Sequence, residues 1–377
     1  MNSQPASPTR RNFLVGAATM LGAGAMGIFP ASAADAPESL REYAAKKGVL
    51  FGSAISNLQL RDAPYSSLLS EQCGIAVPEN ALKWAALRPT LASFDFSAGD
   101  ALFQFAHFNN MLFRGHTLVW EQALPKWFQM TVNSVNARQI MLDHISQVVR
   151  HYAGKMHSWD VVNEAYRIED GRPDGLKVTP WLQFIGPEYI EMAFHAAHEA
   201  DPDAMLVYNE NWLEPDDAIA EKKRQSVLAM LTNFRKRNVP IHALGTQSHI
   251  YAETNTTGPN YKRFLEQVSD LGLTILVTEM DIRDKQSNTD LGTRDRLIAK
   301  QYYDYLSFML QFKALTAVLT WGLTDRYTWL AQAGSAAKGV PVRPLPYDED
   351  LQPTPSWNAI RRAFEEAPGR SSRGGSA

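Results

Sequence analysis

Trp159-Asp160-Val161-Val162-Asn163-Glu164 and Thr274-Ile275-Leu276-Val277-Thr278-Glu279 are two short, largely apolar runs, each closed by a glutamate. Their aliphatic, β-branched bodies suit strands buried on both faces, and the carboxylate comes only at the tip. In a parallel α/β barrel the carboxyl ends of the strands open onto the site face, where catalytic groups collect. Two carboxylates at such tips are the minimum equipment for cleaving a glycosidic bond.

Outward from these two, the same pattern recurs. Eight strand-like runs are predicted at Val49–Ile55, Gly74–Glu79, Phe113–Trp120, Ser158–Glu164, Ala204–Asn209, Ala243–His249, Thr274–Glu279 and Ala317–Trp321. Between them the apolar residues change to helical spacing, as in Ala137–Tyr152, Glu188–Ala200, Ala218–Arg237 and Arg294–Phe312. Strand and helix alternating eight times predict an α/β fold with a single (β/α)8 TIM barrel over residues 34–367. Seven of the eight runs finish in polar or aromatic groups: Glu79-Asn80, His116 to Trp120, Asn163-Glu164, Asn209, Gln247 to His249, Glu279 and Trp321. No phosphate loop or dinucleotide fingerprint follows any run, so no cofactor is expected.

The ends of the chain read differently. Ser7-Pro8-Thr9-Arg10-Arg11-Asn12-Phe13-Leu14 is a twin-arginine pattern, followed by an uncharged Ala/Gly-rich stretch to Phe29 and by Ala31-Ser32-Ala33 as a cleavage signal. Residues 1–33 are therefore expected to be a signal peptide for export by the twin-arginine route, to the periplasm or outside the cell, leaving no membrane-bound part. Residues 368–377, rich in Gly, Ser and Arg, are expected to be a disordered tail. The single cysteine, Cys73, rules out an internal disulfide framework. A net charge of −3 carries no basic surplus, which argues against a nucleic-acid partner. The chain is expected to act as a monomer.

The chemistry allowed by the tips is that of a glycosidase. One carboxylic acid protonates the leaving oxygen, and a second carboxylate attacks the anomeric carbon or activates water. Asn163 stands where it can donate to a sugar 2-hydroxyl, a contact that strengthens in the transition state. His249 alternates in phase with Gln247 and is placed to hold Glu279 ionised. Asp281 either tunes that network or bonds local backbone. Trp84, Trp120, Trp321 and Trp329 all fall at or just past run ends, beside Glu79, Asn80 and Lys83, and offer stacking faces for sugar rings.

The ordered segments Pro78-Glu79-Asn80-Ala81-Leu82-Lys83-Trp84, Arg114-Gly115-His116-Thr117-Leu118-Val119-Trp120, Trp159 to Ala165, Gly245-Thr246-Gln247-Ser248-His249, Val277 to Ile282 and Trp321 to Trp329 resemble glycoside hydrolase family 10 endo-β-1,4-xylanases. Pro344-Leu345-Pro346-Tyr347-Asp348, with Pro353 and Pro355 after it, resembles the last loop of that family. The resemblance implies a retaining double displacement on xylan, with Glu164 as acid/base and Glu279 as nucleophile. It implies that Asn163 contacts the 2-hydroxyl, that His249 and Asp281 support the nucleophile, and that Gln247 reads the sugar nearby. Glu79, Asn80, Lys83, His116 and Trp120 would line the glycone side, and Trp321 and Trp329 would roof the centre; Trp84 and Asn209 complete the expected substrate-binding set. No metal or organic cofactor belongs to that chemistry.

The chain departs from the family after Trp120, where a histidine is usual and a glutamine two residues later. Here Glu121 and Ala123 stand in those places. Ala123 is expected to remove a sugar contact of about 0.5–1.5 kcal/mol from a glycone subsite. Glu121 is expected to add a negative charge that raises the pKa of a nearby acid. Together they motivate an alternative in which the same mechanism acts on another β-linked polysaccharide or glycoconjugate. A metal hydrolase built on His116 and His249 is disfavoured by the lack of a His-x-His pair on an early run, and a non-catalytic sugar binder by the presence of both glutamates.

Overall fold

Parallel strands cannot be joined by tight turns, so each must return through a crossover, and the helical segments between the runs supply it. The computed structural model of the chain describes residues 38–285, 290–331 and 340–369. Among these residues nine strands form: β1 (Leu50–Ile55), β2 (Ile75–Pro78), β3 (Leu112–Val119), β4 (Ser158–Asn163), β5 (Met205–Glu210), β6 (Ala243–Thr246), β7 (His249–Tyr251), β8 (Thr274–Arg283) and β9 (Leu315–Thr320). Every pairing is parallel, β1 pairs with both β2 and β9, and β6 pairs with β8, which closes eight strands into a barrel with β7 as an outlier on the upper half of β8. The helices surround it, making a (β/α)8 TIM barrel.

Two differences from the sequence expectation have physical causes. The run predicted as Ala243–His249 breaks after Thr246, because Ser248 takes a left-handed backbone (φ 64°) and pairing resumes only at His249. The buried carboxylate of Glu214 holds this break by accepting from the Ser248 backbone N–H at 2.9 Å and from the Thr246 hydroxyl. The run predicted to end at Glu279 continues to Arg283, since Asp281 to Arg283 find a partner in β7. Helix ends shift by up to three residues; the longest, Ala218–Lys236 and Leu291–Met309, start at Asp217 and Asp290, whose side chains accept from the first-turn N–H groups.

The core has two layers. Ala54, Ile75, Val77, Val207, Ala243, Leu276, Ala317 and Leu319 fill the barrel, small residues facing large ones, with Trp321 at the top. A larger layer lies between strands and helices. Helices Leu40–Ala45 and Pro355–Glu366 are joined by Gln72, whose Oε1 accepts from Leu40 N at 3.1 Å and from Trp357 Nε1 at 3.2 Å. Cys73 is buried and unpaired. No helix among the described residues is long and apolar enough to cross a membrane. The expected signal peptide, and the expected tail beyond Gly369, lie outside the described residues.

Gly115 on β3 lies against the indole of Trp159 on β4, where a Cβ would fall 2.0 Å from the ring. Gly115→Ala is expected to lower stability by about 1–3 kcal/mol through overpacking, read as a lower urea midpoint with unchanged slope.

Candidate active site

A strand alternates its side chains between faces, so Leu276 and Thr278 pointing into the barrel would send Glu279 outward. It does not go outward, because β8 carries one extra residue between Val277 and Met280 relative to β9, where Val318 and Thr320 are their partners. The bulge changes parity: Met280 joins the outer core, while Glu279 and Asp281 turn to the barrel mouth. There Glu279 Oε1 accepts from Asn209 Nδ2 at 2.7 Å, and Oε2 lies 3.2 Å from His249 Nε2. His249 Nδ1 is 2.9 Å from Asp281 Oδ2, which also accepts from Trp329 Nε1 at 2.8 Å. Burial works against a charged His249, but Asp281 and Glu279 outweigh it and push the imidazole up to about 10. Protonated at neutral pH, it donates from both nitrogens to the two carboxylates.

β4 repeats the device. Ser158 and Asp160 face Arg114 and His116 inside the barrel, then an extra residue before Val162 shifts the register and brings Asn163 inward. Glu164 follows in a left-handed conformation (φ 54°), its N–H donating to Asn209 O at 2.9 Å. A non-glycine residue held there is strained by about 1–3 kcal/mol and persists only when its surroundings fix it. Four donors do so: Asn163 Nδ2 (3.2 Å) and Gln247 Nε2 (2.9 Å) to Oε1, Trp120 Nε1 (3.2 Å) and Lys177 Nζ (3.3 Å) to Oε2. Burial raises the pKa of Glu164, but the Lys177 charge and these bonds outweigh it, and the carboxyl sits below its ordinary value.

The two glutamates are linked through one oxygen. Asn163 Oδ1 accepts from Asn209 Nδ2 at 2.8 Å and from Gln247 Nε2 at 3.3 Å, and those same amide nitrogens bond Glu279 and Glu164 respectively. Both carboxylates open into one cleft of about 820 Å³. Lys83, Trp120, Trp321 and Trp329 form part of its wall, with the Lys83 ammonium 5.0 Å from the Trp120 ring centre. His116 lines it too, its Nδ1 bonded to Asp160 at 2.9 Å. Next to Lys83, Asn80 accepts from its Nζ at 3.0 Å, and burial raises the pKa of Glu79 against the opposing charge of Lys83.

Trp84 is corrected by the structure. It is buried, its indole N–H donates to Leu118 O at 2.6 Å, and its ring stacks on His144 at 3.7 Å, so it serves the core and offers no face to a sugar. The expectation for residue 121 also changes. Ala123 lines a hollow with Glu121, Phe128 and Pro180, and its carbonyl accepts from Ala85 N at 2.8 Å. Glu121 is not a free negative charge: it is ion-paired with Lys177. The acid nearby is accordingly lowered, not raised.

Sequence reasoning missed three contributors. Lys177 returns to Glu164 only through the fold of an intervening loop and has no local signal. Glu214 is hidden similarly. Trp212, two residues beyond β5, is 40% exposed and lines the cleft; it carries the same signal, an aromatic past a strand tip, that singled out the other tryptophans. Among the described residues, His116, Asp160 and Glu279 bring three ligand-type atoms within 4.8 Å of one another. The guanidinium of Arg114 already neutralises Asp160, so this donor set does not suit a cation.

Known proteins resemble the chain over most of its length. The profile of glycosyl hydrolase family 10 matches residues 39–363. A β-1,4-xylanase of Dictyoglomus thermophilum is 35% identical over 323 residues, 82% of this chain and 87% of the relative. Endo-1,4-β-xylanase B of Thermotoga neapolitana is 35% identical over 334 residues, 87% and 92% respectively. The crystal structure of xylanase 10B from Thermotoga petrophila in complex with xylobiose superposes with a TM-score of 0.80 at 33% identity, covering 87% of this chain and 97% of that one.

The His249 pair has a stability signature. A histidine raised on folding contributes fully below its unfolded value near 6.5, and the contribution is lost as pH rises through about 10. The urea stability of the wild type is expected to fall relative to His249→Gln between those limits, with a slope difference of up to about 1.4 kcal/mol per pH unit. Parallel curves for the two proteins would contradict the charged assignment.

Proposed function

The chain belongs to glycosyl hydrolase family 10, and on that premise we propose that it is an endo-β-1,4-xylanase that cleaves internal bonds of xylan with retention. The observation that carries this reading is the sharing of Asn163 Oδ1, which joins two carboxylates of different surroundings in one cleft. Glu279, braced by Asn209 and the His249 imidazolium, attacks the anomeric carbon. Glu164 gives its proton to the leaving oxygen. The glycosyl ester so formed on Glu279 is then hydrolysed by a water that surrenders its proton to Glu164, which restores the acid. Asn163 donates to the 2-hydroxyl, Gln247 reads the same sugar, and Trp120, Trp321 and Trp329 pack against ring faces. The xylanase names of the relatives, and the xylobiose bound to the Thermotoga petrophila neighbour, support xylan as the substrate.

The proposal extends to export by the twin-arginine route as a monomer, supported by Arg10-Arg11, the uncharged stretch after them and a lone cysteine. Arg10→Lys/Arg11→Lys is expected to leave the precursor uncleaved in the cytoplasm; export of the double variant at the wild-type rate would contradict this.

Glu279→Ala should abolish turnover of xylo-oligosaccharides, and azide should restore it with an α-glycosyl azide as product. Glu164→Ala should slow poor leaving groups by about 10²–10⁴-fold and spare dinitrophenyl glycosides in the first step. Wild-type activity in Glu279→Ala sinks the assignment.

A further inference from the structure

Lys177 is the one contact of Glu164 that the reaction so far does not use. Its position is built. The loop after β4 folds back as a narrow hairpin, with Tyr166 bridging Leu176, Arg167 N donating to Gly175 O at 3.0 Å and Lys177 N donating to Ala165 O at 2.8 Å. That ladder sets residue 177 directly across from Ala165, the neighbour of Glu164. Its ammonium, on a residue 7% exposed, meets Glu164 Oε2 at 3.3 Å and the carboxylate of Glu121 on its other side.

The catalytic cycle makes a demand on this arrangement. Glu164 must carry a proton when the leaving oxygen departs, and must be ionised when water attacks. With Glu164 protonated, a buried ammonium beside it would have no counter-charge, a state costing several kcal/mol. Glu121 supplies that charge. It stands 43 positions before Glu164, on the loop after β3, where the charge of Arg167 also acts on it.

We propose that Lys177 and Glu121 are a positioning pair for Glu164: Glu121 keeps the ammonium while Glu164 holds its proton, and Lys177 turns to Glu164 when the proton has left. The proposal rests on the acid/base assignment of Glu164. The role requires no bond to substrate from either residue, and the lysine remains an ammonium throughout. Burial disfavours that charge, but the flanking carboxylates of Glu164 and Glu121 outweigh it.

Other charges around Glu164 have their own partners. Lys83, from the loop after β2, is bonded to Asn80 and lies over Trp120 and Trp321. Glu210 on β5 is closed by Lys223 and Tyr208. Glu279 on β8 and Asp281 share His249 from β7. Asp170, on the hairpin itself, is paired with Arg167. Lys177 and Glu121 are thus the pair whose removal changes the field at Glu164 most directly.

The test is the alkaline limb of kcat/KM on xylo-oligosaccharides, which reports loss of the proton from the free acid/base. Lys177→Met removes the positive charge and leaves the negative one, so Glu164 keeps its proton longer and the limb moves up by about 1 pH unit. Glu121→Gln is the near-isosteric second variant; it leaves Lys177 unopposed, and the limb moves down by about 1 pH unit. On a dinitrophenyl xylobioside, which leaves without acid help, neither limb moves. Opposite shifts support the pair. Unmoved limbs, or shifts of the same sign, in variants that hydrolyse xylo-oligosaccharides overturn it while leaving the xylanase reading intact. A wild type inert on xylo-oligosaccharides overturns both. If Lys177→Met does not fold, Glu121→Gln alone decides by the presence or absence of the downward shift.

Discussion

The site depends on a one-residue bulge in β8. Side-chain parity along that strand is fixed by the barrel core, since Leu276 must face inward to fill the space between Val207 and Ala317. Under strict alternation the same parity would bury Glu279 against the helices. The extra residue at Thr278 and Glu279 reconciles the two demands, apolar packing below and a carboxylate at the mouth above. β4 solves the same conflict with its own extra residue, placing Asp160 inside the barrel and Asn163 inside the site. Barrel strands that carry both core and chemistry need such a change of phase where one task gives way to the other.

What the bulges aim, the amides hold. A buried carboxylate is tolerated only when its lone pairs are met, and a hydrogen bond to a charged group contributes about 1.5–3 kcal/mol. Glu164 has four donors and Glu279 has Asn209 and His249. Asn163 Oδ1 couples the two sets, so a displacement of either glutamate is felt by the other through Gln247 or Asn209. The supports differ in kind. Glu279 leans on an imidazolium fixed by Asp281, and Glu164 on an ammonium shared with Glu121. Both cations favour the ionised carboxylate, and Glu121 draws the ammonium partly away from Glu164.

Much of this was legible in the sequence because the strands are buried on both faces and therefore read as apolar runs, with polar tips marking the mouth. Glu164, Glu279, Asn163, Gln247 and His249 stand out by that rule, and the structure brings them together. The rule fails where contact depends on how a loop returns. Lys177 lies in a polar loop and meets Glu164 only because the hairpin ladder pairs residues 177 and 165. It fails also for Trp84, which shares the local pattern of Trp120 yet begins a short helix that rolls its ring onto His144. The bulges have no signal in composition, so the parity that aims Glu279 was readable only as an assumption. Glu121 and Ala123, conspicuous as departures, follow Trp120 on its loop, where one pairs with Lys177 and both line a hollow with Phe128 and Pro180.

The central claim is that the two glutamates act as one retaining pair with Glu279 as the attacking group. Trapping the intermediate with a 2-deoxy-2-fluoro xylobiosyl donor and mapping the label by mass spectrometry tests it most directly. A single fluoroglycosyl adduct on the peptide carrying Glu279, with turnover lost in step, is the predicted result. An adduct on Glu164, or hydrolysis that proceeds with inversion and leaves no adduct, would contradict it.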